Sequence, residues 1–208
     1  MKILVKIPSR ERPLQCLQRV ELMQKMQMTK DVEYLISCDH DDKPYQIPGA
    51  VIIYGNSKNK VEAYNRDIPK KGWDILIVSS DDMFCVKQGW DAIISGTMEK
   101  NFPDTDGVLW FNDGYVGNRL NTMPIIGRKR YKKFGYVYHP VYTSLWCDNE
   151  FMEVNKDKQI YFNTILFRHE HPAWNKNIRR DALYDRNESF YQSDKIIYES
   201  RKRQGFPA

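Results

Sequence analysis

Three short runs in this chain hold carboxylates or imidazoles in arrangements suited to metal and proton chemistry. The first is Ser79-Ser80-Asp81-Asp82, which follows the continuous apolar run Ile75-Leu76-Ile77-Val78. That run reads as a buried strand. Adjacent carboxylates at its end repel unless a cation lies beside them. An oxygen-preferring divalent ion, Mn²⁺ or Mg²⁺, suits carboxylates combined with diphosphate oxygens. The second run is His169-Glu170-His171. Spacing of two on a strand puts both imidazoles on one face, and an imidazole beside a carboxylate-bound ion shifts the preference toward Mn²⁺. An HxH pair is also a zinc-hydrolase pattern, but a third His or Cys at short spacing is missing. The third run, Asp148-Asn149-Glu150, lies between Trp146-Cys147 and Phe151-Met152. Acids with apolar neighbours gain raised pKa values and can act as general bases.

A fourth set, Asn56, Lys58, Lys60, Asn65 and Arg66, surrounds a predicted helix start. Its amides and cations suit phosphate oxygens. Each set has a structural alternative. A helix cap with an acidic first turn explains Asp81-Asp82 or Asp148-Asn149-Glu150. A structural pair near a loop explains the histidines, and a solvated helix face explains the cations.

The elements that must position these residues alternate through the first half. Strands are predicted at Ile3 to Ile7, Val32 to Cys38, Val51 to Tyr54, Asp74 to Val78 and Gly107 to Phe111. Helices are predicted after Pro13, from about Asn59 to Arg66, and from Gly89 to about Lys100. Alternation implies an α/β fold with a mostly parallel central sheet flanked by helices. Ligands bind such sheets outside the carboxyl ends of the strands. Those ends carry Arg10 and Arg12, Asp39, Asp81 and Asp82, then Asn112 and Asp113. After Gly114 the pattern turns irregular until a strand predicted from Ile160 to His171. Residues 1–175 read as one catalytic domain. Residues 176–208 read as a helical or extended appendage, with a helix near Asp194 to Lys202.

Composition narrows the class. The chain has 208 residues, 28% charged and 41% hydrophobic, which fits a soluble globular domain. The net charge of +5 suits an anionic ligand but is too weak to indicate nucleic-acid binding by itself. The densest basic runs are Arg128 to Lys133 and Arg201 to Arg203. Cys16, Cys38, Cys85 and Cys147 form no CxxC pair and read as buried hydrophobes, which points to a reducing, cytoplasmic compartment. Lys6, Arg10 and Arg12 interrupt the apolar start too early for a signal peptide, and no stretch approaches a membrane span. P-loop, dinucleotide-binding and GxSxG motifs are absent.

With these residues in view, the chain resembles family-2-like nucleotide-sugar glycosyltransferases of the Rossmann-like GT-A fold. The opening segment through Pro8, Ser9 and Arg10 resembles the family's nucleotide pocket, and Asp39 stands where a base-contacting Asp often lies. Ser80-Asp81-Asp82 resembles a DxD motif whose first carboxylate is Ser80, so Asp82 is the metal candidate and Asp81 faces the ribose or donor sugar. Asp148-Asn149-Glu150 resembles the acidic acceptor-side motif of inverting members, with Asp148 or Glu150 as base. His169 or His171 resembles the C-terminal metal ligand. The resemblance implies a nucleotide-diphosphate sugar donor, a divalent cofactor, and donor-side help from Arg10, Lys60 and Asn65. Trp146 and Trp174 are candidates for stacking on a sugar or a base. The acceptor is open: a saccharide hydroxyl, or a modified DNA base served by the basic runs. A nucleotidyltransferase on a similar sheet and a non-catalytic nucleotide-sugar-binding module are the alternatives.

Overall fold

Ile75-Leu76-Ile77-Val78 forms a strand whose side chains are buried on both faces of a sheet, as a near-continuous apolar run in a covered sheet demands. The computed structural model describes residues 1–207; Ala208, the end of the expected appendage, lies outside the described residues. In chain order the first half comprises β1 (Ile3–Pro8), α1 (Pro13–Met26), β2 (Val32–Asp39), β3 (Ala50–Gly55), α2 (Lys60–Asn65), β4 (Ile75–Val78), β5 (Met83–Cys85), α3 (Trp90–Asn101) and β6 (Val108–Asn112). The second half comprises β7 (Ile125–Gly127), α4 (Arg128–Phe134), α5 (Cys147–Asn155), β8 (Gln159–Ile165), β9 (Phe167–His169), α6 (Ala182–Glu188) and α7 (Tyr191–Arg203).

Seven strands make the main sheet in the order β3-β2-β1-β4-β7-β6-β8. β1, β2, β3 and β4 are mutually parallel, as are β6 and β8, while β7 runs antiparallel to both its neighbours. β5 and β9 form a separate antiparallel ribbon, pairing Met83 with His169. That ribbon draws a residue from late in the chain to the end of β4.

Side-chain alternation splits the core in two. Ile75 and Ile77 pack with Cys16, Val20 and Met23 of α1 and with Trp90 and Ile94 of α3. Leu76 and Val78 pack on the opposite face with Phe151 of α5 and Tyr198 of α7. Each such burial contributes roughly 1.5–3 kcal/mol relative to exposure. Pro13 opens α1, where its fixed φ suits a first turn.

Two sequence expectations need correction, and one basic run finds its place. The segment 117–127 is not wholly irregular, because Ile125–Gly127 fills the sheet between β4 and β6. The strand expected from Ile160 to His171 is two strands broken at Leu166, in different sheets, and it stops at His169. The basic run Arg128 to Lys133 is helix α4, with Arg130 buried against Asn155 at 2.6 Å. All four cysteines are buried and free. Among the described residues, no helix is long and apolar enough to cross a membrane.

Candidate functional site

At the carboxyl ends of β1, β2 and β4 the chain opens into a cleft of about 620 Å³. It lies where the strand order reverses direction along the chain, between β1 and β4, as expected for an open α/β sheet. Pro8, Ser9, Arg10, Asp39, Lys60, Ser80, Asp81, Asp82, Asp148, His169 and His171 all line it.

Asp81 and Asp82 are both buried but have different partners. Asp81 accepts from Ser9 Oγ at 3.0 Å and from Arg12 at 3.0 Å. Burial and the neighbouring Asp82 charge nevertheless push its carboxyl up to about 6. Asp82 accepts from Ser80 Oγ and, at 3.1 Å, from the Tyr184 hydroxyl. Its Oδ1 lies 3.5 Å from His169 Nε2. Burial opposes its charge, but His169 and Ser80 outweigh burial and hold Asp82 well below the usual carboxylate range.

His169 is held by the β5–β9 ribbon, by its N–H donating to Asp113 O at 3.0 Å, and by Glu170 N donating to Asp82 O at 2.9 Å. Asp113 is itself fixed by the N–H groups of Tyr115, Val116 and Gly117. His171 lies two residues beyond the end of β9. Its ring is 5.2 Å from His169 and packs edge-on against Tyr184 at 4.7 Å. Burial pushes its imidazole down to about 4, so it is neutral at pH 7. The sequence left open which imidazole stands beside the carboxylate; His169 lies in ion-pair range of Asp82.

A divalent ion fits this donor set. An oxygen and an imidazole nitrogen 3.5 Å apart can serve adjacent positions on one ion, given metal–ligand distances of about 2.1 Å. The buried His169 Nδ1 lacks a hydrogen-bond partner. Among the described residues no group of three or more His, Cys, Asp or Glu is arranged to cage a metal. Two protein ligands with the remaining positions left to phosphate oxygens and water is the Mg²⁺-like pattern.

Asp148 and Glu150 both lie in the first turn of α5, yet they differ in setting. Asp148 lines the cleft, and burial raises its carboxyl against the opposing influence of Lys60 and the Asn149 N–H. Glu150 does not line the cleft. It accepts from Tyr142 at 2.6 Å and from Arg201 through two bonds of 2.8 Å each, and is spent on tying α5 to α7. Its candidacy as base is corrected on that ground.

Of the amide and cation set, Lys58 and Lys60 reach the cleft. Asn65 does not: it pins the backbone of Val137 and Tyr138, at 2.9 and 3.1 Å. Asn56 is exposed elsewhere. Arg66 braces the floor through Ser57 Oγ, Cys38 O and Asp67. Arg10 is paired with Asp39 and Asp41.

Sequence reasoning missed Tyr184 and underused Arg12. Arg12 bridges Asp81 and Asp181, the N-cap of α6, and stacks 4.1 Å over the Tyr184 ring. Nothing local in the sequence marks either contact, which spans about a hundred residues or more. The segment after 175 thus supplies part of the cleft wall.

No family model matches this chain, and no curated protein matches its sequence. Solved structures do. The mannosyltransferase PcManGT from Pyrobaculum calidifontis, in complex with GDP-Man and Mn²⁺, aligns with a TM-score of 0.61 at 9% identity, over 81% of this chain and 56% of that one. Glucosyl-3-phosphoglycerate synthase from Mycobacterium tuberculosis, with Mn²⁺, UDP and phosphoglyceric acid, aligns at 0.62 and 12% identity, over 100% and 80%. A CMP:2-keto-3-deoxy-manno-octonic acid synthetase complexed with CTP aligns at 0.52 and 11%, over 93% and 100%. The chain spans little more than half of the mannosyltransferase. The likeness to the first two, with the mostly parallel sheet, shows a Rossmann-like GT-A fold.

Proposed function

We propose that this chain is a metal-dependent glycosyltransferase that moves a sugar from a nucleotide-diphosphate sugar to an acceptor hydroxyl. The observation that carries the reading is the meeting, in one cleft, of the Asp82–His169 pair and the half-buried Asp148. The nucleotide lies against Asp39, Ser57 and Lys60, with Pro8, Ser9 and Arg10 forming the adjoining wall. Asp82 and His169 would hold Mn²⁺ or Mg²⁺, which supplies charge neutralisation for the diphosphate. Asp81 faces the ribose or donor sugar.

Asp148 takes the proton from the acceptor hydroxyl. The acceptor oxygen forms a bond to the anomeric carbon as the bond from that carbon to the diphosphate oxygen breaks, and the nucleoside diphosphate leaves with the electron pair. A single displacement of this kind inverts the anomeric carbon. The raised pKa of Asp148 strengthens it as a base.

Binding to the native state alone raises stability. UDP, GDP or CDP with Mn²⁺ should therefore raise the melting temperature of the wild type, and Asp82→Ala should abolish the metal-dependent part. No shift with any of them would sink the reading. The alignment with a CTP-bound synthetase over its whole length supports a second reading, nucleotidyl transfer. Product analysis separates the two, since sugar transfer releases a nucleoside diphosphate and nucleotidyl transfer releases pyrophosphate.

A further inference from the structure

The cleft has two unlike walls. Residues before Asp82 contribute Arg10, Asp39, Ser57, Lys58 and Lys60, a charged and hydroxylated surface. Residues after 143 contribute Leu145, Trp146, Trp174, Leu183, Phe190 and Tyr191. Two of these rings are well exposed: Trp174 at 44% and Tyr191 at 45%. Trp174, Phe190 and Tyr191 gather at the cleft outside both core clusters, and exposed aromatics so placed mark a contact surface.

Trp146 sits behind them, edge-on to Tyr191 with ring centroids 5.5 Å apart. It adopts φ 63°, a left-handed conformation rare for a bulky residue, and its buried indole N–H has no partner. Strain of this kind persists where the surroundings enforce it, typically at binding sites. The turn leading into Trp146 is held by Asp194 of α7. Its fully buried carboxylate accepts from the N–H groups of Thr143, Ser144 and Leu145, at 3.1, 2.7 and 2.8 Å. The same turn delivers Trp146 to the aromatic wall and Asp148 to the cleft.

Charge on this wall is sparse. Among the described residues after 143, Arg186 is the one Arg or Lys lining the cleft, Lys195 stands over the Trp146 ring at 5.8 Å, and Glu188 is tied to Arg180. The basic runs lie on α4 and at the end of α7, and none of their residues lines the cleft. An acceptor with many phosphates requires several cations along its path, and this wall does not offer them.

We infer that the aromatic wall is the acceptor subsite and that it takes an uncharged saccharide, a pyranose laid on Trp174 and Tyr191. The inference rests on the glycosyl-transfer reading. A pyranose has an apolar C–H face that an aromatic ring covers and a hydroxyl rim that Asn149 and Asn187, also on the cleft, can meet. The rim places a hydroxyl toward Asp148.

Saturation-transfer NMR tests this without knowledge of the donor. The probes are neutral methyl glycosides of glucose, galactose, mannose and N-acetylglucosamine, set against an oligothymidylate and a glycerol-phosphate oligomer. The expected result is transfer from aromatic protons to the ring C–H protons of at least one glycoside. Trp174→Ala and Tyr191→Ala, both exposed positions, should weaken that binding by roughly three- to tenfold each, the effect of one lost stacked ring. Both variants should keep the nucleotide-induced thermal shift of the wild type. No transfer to any glycoside, preference for either polyanion, or unchanged binding in both variants would overturn the assignment. A wild type that fails the nucleotide shift but still binds a glycoside loses the glycosyl-transfer reading while keeping the sugar-binding wall.

Discussion

Lys6 lies in the middle of β1, fully buried, with β2 and β4 on either side. Its ammonium donates to Ser37 Oγ, Ser37 donates to Asp67 at 2.6 Å, and Arg66 pairs with Asp67 at 2.5 Å. Burial pulls Lys6 from 10.5 to about 7, against the attraction of Asp67. That difference corresponds to on the order of 5 kcal/mol. Below about pH 7 the lysine is charged in both folded and unfolded chains, and the full burial penalty is present. From about 7 to 10.5 the unfolded chain binds a proton that the folded chain lacks, so stability rises with pH.

Lys6→Met fills a similar volume and removes the titration. At about pH 6 the variant should be more stable than wild type by several kcal/mol. The gap should narrow by roughly 2.5 kcal/mol by about pH 9, because each pH unit above 7 returns about 1.36 kcal/mol to the wild type. Urea denaturation followed by tryptophan fluorescence at both pH values gives the two gaps, and other titrating groups cancel in the comparison. A gap of equal size at both would refute the buried, destabilised lysine.

Glu150→Gln should lower stability by about 2–3 kcal/mol through the loss of its charged pair with Arg201, yet leave turnover within about twofold. Asp148→Asn should keep its fold and lose turnover by about 10²–10⁴; urea curves and initial rates on both variants reveal whether the pattern is reversed. Asp194→Ala leaves three N–H groups unpaired, that of Ser144 buried, and should cost about 2–3 kcal/mol by chemical denaturation, with kcat falling as the Trp146–Asp148 turn loosens. In the presence of a nucleoside diphosphate, His169→Ala should weaken Mn²⁺ binding by at least about tenfold and His171→Ala by less than about threefold, as measured by titration calorimetry.

Where the pattern was local, the sequence carried it. The alternation of apolar runs and helical spacing announced β1 to β4 and the helices between them, and the polar residues at the strand ends collected where an α/β sheet places them. What escaped was short or long-range. β5, β7 and β9 have three residues each, too few for a period to register. The Tyr184 contact to Asp82 and the Arg12 bridge to Asp181 depend on the packing of α6, which no nearby residue encodes. Glu150 and Asp148 differ by two positions, so only the rotation of α5 separates an ion-pair acid from a cleft acid. Lys6 escaped too: a lone cation inside Ile3-Leu4-Val5-Lys6-Ile7 signals a buried charge only once both faces of the sheet are known to be covered.

The cleft is divided along the chain as well as in space. One wall is drawn from residues up to Asp82, and the other from Leu120, Thr122, Tyr138 and the stretch from Thr143 to Tyr191, which ends beyond the last strand. The sheet and the closing segment meet through the Arg12–Asp181 ion pair, the Tyr184–Asp82 hydrogen bond and the apolar packing of Tyr198 with Leu76 and Val78. If the proposed reading holds, a scaffold so partitioned lends itself to recombination: a different final stretch of chain, keeping Asp181, Asp194 and Arg201, grafted onto the same strands would change which molecule receives while the giver stays the same.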